Sequence, residues 1–460
     1  MTTNSQSDWI NAKHRKSVLW IVALAAFSLF FDGYDIVVYG AILPALMADP
    51  AQLGAISAQR AGAIGAYTLV GVAIGALLAG AIGDRIGRRK TMLASIVLFS
   101  LGMLVTGFTQ SVEMFSTVRL ITGLGMGAIV VTVGALVAEI APTGKKNLYN
   151  AVVYSGYALG GVTASLFAIA FRDSIGWRGL FWIGALPLVT LVPLALIKLP
   201  ESPRWLIAHG DAQRAQAVAT KTGMPCPSID EIAAEKASLE KVGFAALVTR
   251  RYAWGTVLLG FVTFNVMLLI FGLNTWLPKI MQNVGFGANQ SLAFLLVLNG
   301  GALFGGLSAS RLADRYEPKR VIAILFGCAA VSLVILTTGL PLPFLLLSVA
   351  IAGAGTMGTN MIIYGFAANY YMTSARAAGV AWCAGFGRLG GILGPIVGGL
   401  IIGAGLSNNV AFYIFAGVAV GGLALTMLIP QVGSSSVSRH VQPTPEPVQQ
   451  RDVVSQTPQP

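Results

Sequence analysis

Twelve apolar stretches run along this chain, near residues 17–43, 60–82, 91–110, 113–138, 150–171, 179–198, 253–276, 290–310, 321–339, 344–367, 378–402 and 410–430. About 20 apolar residues in a helix rise far enough to cross about 30 Å of hydrocarbon. Hydrocarbon offers the backbone no outside hydrogen-bond partner, which selects helices. The pattern predicts an all-α membrane protein with twelve transmembrane helices. Composition agrees, with 55% hydrophobic and 10% charged residues, against about 25% charged in soluble domains. The 55 glycines are unfavourable in a water-exposed helix but suit helices that approach closely in lipid.

The formal charge of +12 raises the question of nucleic acid, but the Lys and Arg residues cluster in alternate loops. Lys13, Arg15 and Lys16 precede the first span. Arg85, Arg88, Arg89 and Lys90 follow the second, and Lys145 and Lys146 follow the fourth. Arg250 and Arg251 precede the seventh; Arg311, Arg315, Lys319 and Arg320 follow the eighth. The other loops hold scattered charges such as Arg60, Asp173 and Lys279. This positive-inside pattern predicts two cytoplasmic termini and no nucleic-acid partner. Cys226, Cys328 and Cys383 lie far apart without metal-ligand spacing, so neither zinc nor a disulfide framework is expected. No nucleophile–base set appears, and no enzyme, metal or cofactor is expected. Residues 1–16 are polar and the first apolar run is long enough to span, which argues against a cleavable signal peptide.

The long loop divides the spans six and six. The expected organisation is a segment 1–16, a bundle 17–198, a central cytoplasmic loop 199–252, a second bundle 253–430 and a disordered tail 431–460. The loop begins Pro200-Glu201-Ser202-Pro203-Arg204-Trp205, and its stretches 211–221 and 229–241 read as surface helices. Asp84-Arg85-Ile86-Gly87-Arg88-Arg89 after span two has a counterpart, Asp314-Arg315-Tyr316-Glu317-Pro318-Lys319-Arg320, after span eight. Equivalent placement in both halves is the mark of a transporter built from parallel repeats.

The first span holds two acids, in Phe31-Asp32-Gly33-Tyr34-Asp35. A carboxylate at mid-bilayer costs at least about 2.5–3.5 kcal/mol, and residues three apart share a helix face. The pair therefore calls for a proton, a cation or a substrate. Arg119 in the fourth span falls at similar depth, given 1.5 Å of rise per residue.

Gly80-Ala81-Ile82-Gly83-Asp84-Arg85-Ile86-Gly87-Arg88-Arg89 resembles the signature loop of the major facilitator superfamily. Arg119, Gly123, Gly125 and Gly127 fit that family's fourth-helix pattern. Asp32-Gly33-Tyr34-Asp35, followed by Tyr39-Gly40 and Pro44, resembles the aromatic acid:proton symporters, most of all their benzoate-type members. The Pro-Glu-Ser-Pro-Arg-Trp segment also occurs in sugar porters and names no substrate. The resemblance implies two pseudo-symmetric six-helix halves in a bacterial cytoplasmic membrane and a monomeric carrier that imports a small aromatic carboxylate with protons. An exporter of the same superfamily and a non-transporting ligand receptor are the competing readings. The paired acids weigh against the first, and a short tail without a signalling domain weighs against the second.

Under this resemblance Asp32 and Asp35 form the proton-coupling pair and Arg119 tunes them; a static ion pair between helices one and four is the alternative. Arg388, near the midplane in Gly385-Phe386-Gly387-Arg388-Leu389-Gly390-Gly391, offers a two-pronged donor for the substrate carboxylate, with glycines leaving room for a ring. Its alternative is a structural pair. Tyr157, Phe264, Asn265, Asn299, Asn360, Tyr364 and Trp382 are candidate ring and hydroxyl contacts, or else helix–helix glue. Trp276, at a span end, reads as an interface-belt residue. Gly156, Gly160 and Gly161 read as close packing in the fifth span. Asp84, Arg85, Arg88, Arg89 and Glu139, with Asp314 and Arg315 in the second copy, form a candidate cytoplasmic gate; anchoring at the membrane surface is the alternative for the arginines.

Overall fold

A computed structural model describes residues 12–140, 146–224, 226, 228–231, 244–372 and 375–430. The described residues up to Ile429 form one compact unit. The expected tail 431–460, the first residues of segment 1–16 and most of the expected surface helix 229–241 lie outside the described residues. The described elements are all helical, with α1 Ala12–Ala48, α2 Ala58–Ile86, α3 Arg88–Thr106, α4 Val112–Ile140, α5 Lys146–Gly184 and α6 Leu191–Lys198. They continue as α7 Pro203–Ala208, α8 Ala212–Thr222, α9 Ala253–Val284, α10 Ala288–Arg315, α11 Pro318–Ile335, α12 Leu342–Tyr370, α13 Arg376–Gly403 and α14 Asn408–Leu428. The surface helix expected at 211–221 is α8, capped by Asp211 and closed by Gly223 at φ 73°.

Among the described residues, eleven apolar helical runs accommodate the twelve expected crossings, because residues 149–198 form one 50-residue run. That run has about 75 Å of helical rise, enough for two passages, and Gly176 (φ 66°) turns the chain between them. The sixth passage is interrupted: a short 3-10 turn at Leu186–Leu188 precedes α6. Pro187 in that turn has no N–H for a continuous helical ladder. The first helix begins earlier than expected, at Ala12, and His14 is buried inside it.

Pairing repeats between the two sets of helices. In the first, α1 packs on α5 and α2 on α4; in the second, α9 packs on α13 and α10 on α12. Glycine makes these crossings close. A Cβ on Gly33 would collide with the Tyr157 carbonyl, and one on Gly160 with that of Phe30, so α1 and α5 touch backbone to backbone.

The two sets meet along α2–α13, α5–α10 and α1–α9. These seams lie toward the face opposite the Arg-rich loops. Gly62 of α2 abuts Pro395 and Gly399 of α13, and Gly40 of α1 abuts Asn274 of α9. Arg172 of α5 reaches Asn289 of α10 at 3.5 Å. Trp276, expected at the membrane interface, is fully buried and donates Nε1–H to the Pro395 carbonyl at 2.7 Å. The reason is length: α9 continues to Val284, so residue 276 is interior and packs into the seam.

Candidate functional site

The four residues Asp32-Gly33-Tyr34-Asp35 turn by about 100° each and meet different neighbours. Gly33 admits the α5 backbone, and Tyr34 donates its hydroxyl to the Leu180 carbonyl at 3.0 Å. Asp35, fully buried, forms an ion pair with Arg119 of α4, which is 1% exposed. Tyr39 and Phe181 present their rings to the Arg119 guanidinium at 5.5 and 5.6 Å, a favourable arrangement for a desolvated cation. Asp32 is buried too, yet it makes no ion pair among the described residues. It lies within electrostatic reach of both Asp35 and Arg388.

Arg388 is 12 positions into α13, about 18 Å from the start of that helix. Its guanidinium acts electrostatically on Asp32 of α1, Tyr154 and Tyr157 of α5, and Tyr364 of α12. Side chains from both halves therefore converge on it. The glycines around Arg388 differ from expectation. Gly387, Gly390 and Gly391 face Thr263, Phe264 and Phe271 of α9 and serve helix packing, whereas Gly385 meets open space.

The remaining candidates divide. Tyr157 and Tyr364 stand in the Arg388 cluster. Phe264 joins Phe261 and Phe386 in an aromatic group on which Trp382 stacks, 5.2 Å from Phe386. The Trp382 N–H is engaged by the Thr256 carbonyl at 2.8 Å. Asn265 bonds back to Phe261 of its own helix. Asn299 donates to Asn274 and to the Leu295 carbonyl, both at 3.0 Å, and so ties α10 to α9. Asn360 Oδ1 is buried without a hydrogen-bond partner among the described residues.

At the basic face, Arg88 pairs with Asp84 at 2.8 Å and with Glu139 at 3.4 Å. Arg89 donates to the Leu196 carbonyl at 2.6 Å, while Arg85 is exposed. Two residues the sequence left without a role complete this cluster. Glu201 accepts the backbone N–H of Arg89 at 3.1 Å, capping α3, and packs on Gly87, whose φ of 102° opens the loop. Trp205 donates to the Asp84 carbonyl at 2.8 Å. The available signal was the acid beside two prolines, too far along the chain to be paired by pattern. The second copy is different: Asp314 and Arg315 are exposed and form no ion pair among the described residues, while Arg320 pairs locally with Glu317. Glu317-Pro318 starts α11 where the first copy has Gly87, so the tight glycine loop is absent.

Outside the helices on the opposite face, Asp49 accepts from Gln52 Nε2 at 2.8 Å and from the Ala51 N–H, and these bonds hold its carboxyl below the usual range. Among the described residues no three His, Cys, Asp or Glu side chains gather as metal ligands. A surface hollow of about 520 Å³ around Phe304, between α10 and α12, is apolar and shares no residue with the charged cluster.

Helices crossing a membrane in two repeated sets, with buried charges where the sets meet, define a membrane transporter of the alternating-access type. The family model described as Major Facilitator Superfamily matches residues 25–342 and 298–457, and the chain belongs to that superfamily. It is 33% identical to the benzoate transport protein of Acinetobacter baylyi, over 89% of each chain. It is 31% identical to the gentisate transporter of Corynebacterium glutamicum, covering 92% of this chain and 90% of that one. The 4-hydroxybenzoate transporter of Pseudomonas aeruginosa is 28% identical, over 86% and 89%. Among solved structures, the inward-open xylose transporter of E. coli superposes with a TM-score of 0.72 at 18% identity, covering 91% of this chain and 98% of that one; that likeness concerns the fold.

Proposed function

We propose that this protein is a monomeric, proton-coupled importer of small aromatic carboxylates, with its basic loops and both termini in the cytoplasm. The observation that carries this reading is the charge order Arg119, Asp35, Asp32, Arg388, which runs from α4 through α1 to α13. Arg119 is already neutralised by Asp35. Arg388 is left with a more distant carboxylate and three phenols, and its planar fork matches a benzoate-like anion. An anion bound there competes with Asp32 for the same cation, and Asp32 then gains from taking a proton. Anion and proton thus favour one another's binding, which is what symport requires. The names of the aromatic-acid transporters among the relatives support the substrate class.

The seams are shut at the face opposite the basic loops, while Tyr154, Tyr157, Tyr364 and Arg388 remain partly exposed. The site is therefore read as accessible from the basic face in this conformation. The exposed Asp314 and Arg315 are free to engage when that face closes, against the preassembled cluster of Asp84, Arg88, Glu139 and Glu201. Cells producing the protein should accumulate labelled benzoate or a hydroxybenzoate, more strongly as external pH falls, and lose that accumulation when a protonophore is added. Accumulation that survives the protonophore would overturn the symport reading.

A further inference from the structure

Where the two halves meet, between Arg119 and the face opposite the basic loops, lies a small cavity. Ile36 and Tyr39 of α1, Thr68 of α2, Arg119 of α4, Thr275 of α9 and Pro395 of α13 contribute to its lining. Its volume is about 10 Å³, which matches the room needed by one water molecule. Two of its polar side chains carry orphaned atoms. Thr68 is 2% exposed and Arg119 1%, and among the described residues neither Thr68 Oγ1 nor Arg119 Nε has a hydrogen-bond partner. A buried threonine usually returns its hydroxyl to the carbonyl four residues back, as Thr122 and Thr132 do; Thr68 does not. A hydroxyl and a guanidinium N–H left unmet beside a water-sized space are costly unless a water supplies the missing partner. A water can accept from Arg119 Nε and also bond Thr68 Oγ1, and Tyr39 and Thr275 line the same space.

We propose that this cavity is a single-water site held by Thr68 Oγ1 and Arg119 Nε, and that Thr68 acts through that water as a positioning residue for the Arg119–Asp35 pair. Nε is the guanidinium atom that faces away from the ion pair, since Nη1 is the one that meets Asp35. Fixing Nε therefore fixes the orientation of the fork on the carboxylate. The site also lies on the seam itself, with contributions from α1, α2 and α4 on one side and α9 and α13 on the other. When the halves part at that face, this water is the first point at which bulk solvent reaches the pair. The groups that titrate or carry charge around Asp35 are Asp32, Tyr34 and Tyr39 on α1, Arg119 on α4 and Tyr157 on α5. The cavity residues of α2, α9 and α13 do not titrate. The effect on transport rests on the proton-coupling reading above, whereas the water site does not.

X-ray radiolytic footprinting of the purified full-length protein tests the water directly, because bound water generates hydroxyl radicals where bulk solvent cannot reach. Wild-type Tyr39, 2% exposed, should be modified, and Thr68→Val, which keeps the shape but removes the hydroxyl, should lower that rate severalfold, with Thr68→Ser restoring it. An unmodified Tyr39 in the wild type overturns the site, even if the valine variant fails to fold. In uptake assays Thr68→Val should move half-maximal transport by about 0.5–1 pH unit, the scale of one hydrogen bond, with KM for the aromatic acid unchanged and recovery in Thr68→Ser. A radical signal that responds to Thr68→Val beside an unmoved pH profile overturns the positioning role. Loss of protonophore sensitivity alone would instead count against symport and leave the water site standing.

Discussion

Asp35 and Asp32 are three residues apart on one helix and have different partners. Asp35 is committed to Arg119 in a site closed to solvent, so losing its charge strands a buried guanidinium. Breaking such a pair from one side costs about 3–5 kcal/mol. Asp35→Asn should therefore reduce both the yield and the thermal stability of the purified protein. Asp32 has no ion-pair partner to strand among the described residues, so Asp32→Asn should keep near-normal stability while losing concentrative uptake. Melting curves in detergent, read beside labelled-substrate accumulation, separate the two. Equal melting temperatures for the two variants would contradict this division. The sequence marks both acids and the arginine by residue type and depth, because charges in an apolar run stand out. It does not mark how they divide. That depends on how α1 is rotated against its neighbours, which is set by backbone contact at Gly33 and Gly160 with residues more than a hundred positions away.

At the level of elements, the entrance to α3 shows how a loop motif becomes a rigid part. Gly87 takes a left-handed φ, Arg88 and Arg89 begin the helix, and Glu201 arrives from beyond α6 to accept the Arg89 amide. A carboxylate at a helix start satisfies a free N–H and meets the positive end of the dipole. Trp205 adds a bond to the Asp84 carbonyl from α7, a helix that begins at Pro203 and is capped by Ser202. Glu201→Ala should destabilise the protein by about 1–2 kcal/mol, while Glu201→Gln, which keeps an acceptor oxygen, should lose less. Thermal unfolding of the two purified variants decides this, and an unchanged transition in the alanine variant would remove Glu201 from the cap. Spans, their count and the first signature loop are legible in the sequence because hydropathy and charge are local properties. The Glu201 cap and the interior position of Trp276 are not. The cap joins two distant segments, and Trp276 depends on how far α9 extends beyond its most apolar stretch.

For the whole molecule, the question is what holds the two halves together at one face and lets them part. Along α2–α13 the contact is backbone on backbone: Gly62 meets the Pro395 carbonyl and the Gly399 Cα, and Gly399 meets the Ala58 carbonyl. Side chains add to it where the Pro395 ring packs on Gly65 and Gln59 on Gly403. Such a seam is sensitive to volume. A side chain on Gly62 has no space in this conformation and finds space once the halves part, so its cost falls on one state alone. Overpacking of this kind costs about 1–3 kcal/mol, which corresponds to a roughly 5- to 150-fold change in the ratio of the two states. Gly62→Leu should therefore favour the conformation open at the face opposite the basic loops and slow net transport. The shift can be followed at Thr275, which is 5% exposed beside the seam. With Cys226, Cys328 and Cys383 replaced, a Thr275→Cys reporter should react with a membrane-impermeant maleimide at least several times faster in the Gly62→Leu background than with Gly62 intact. Equal protection of the reporter in both backgrounds would mean that the α2–α13 seam does not control access from that side.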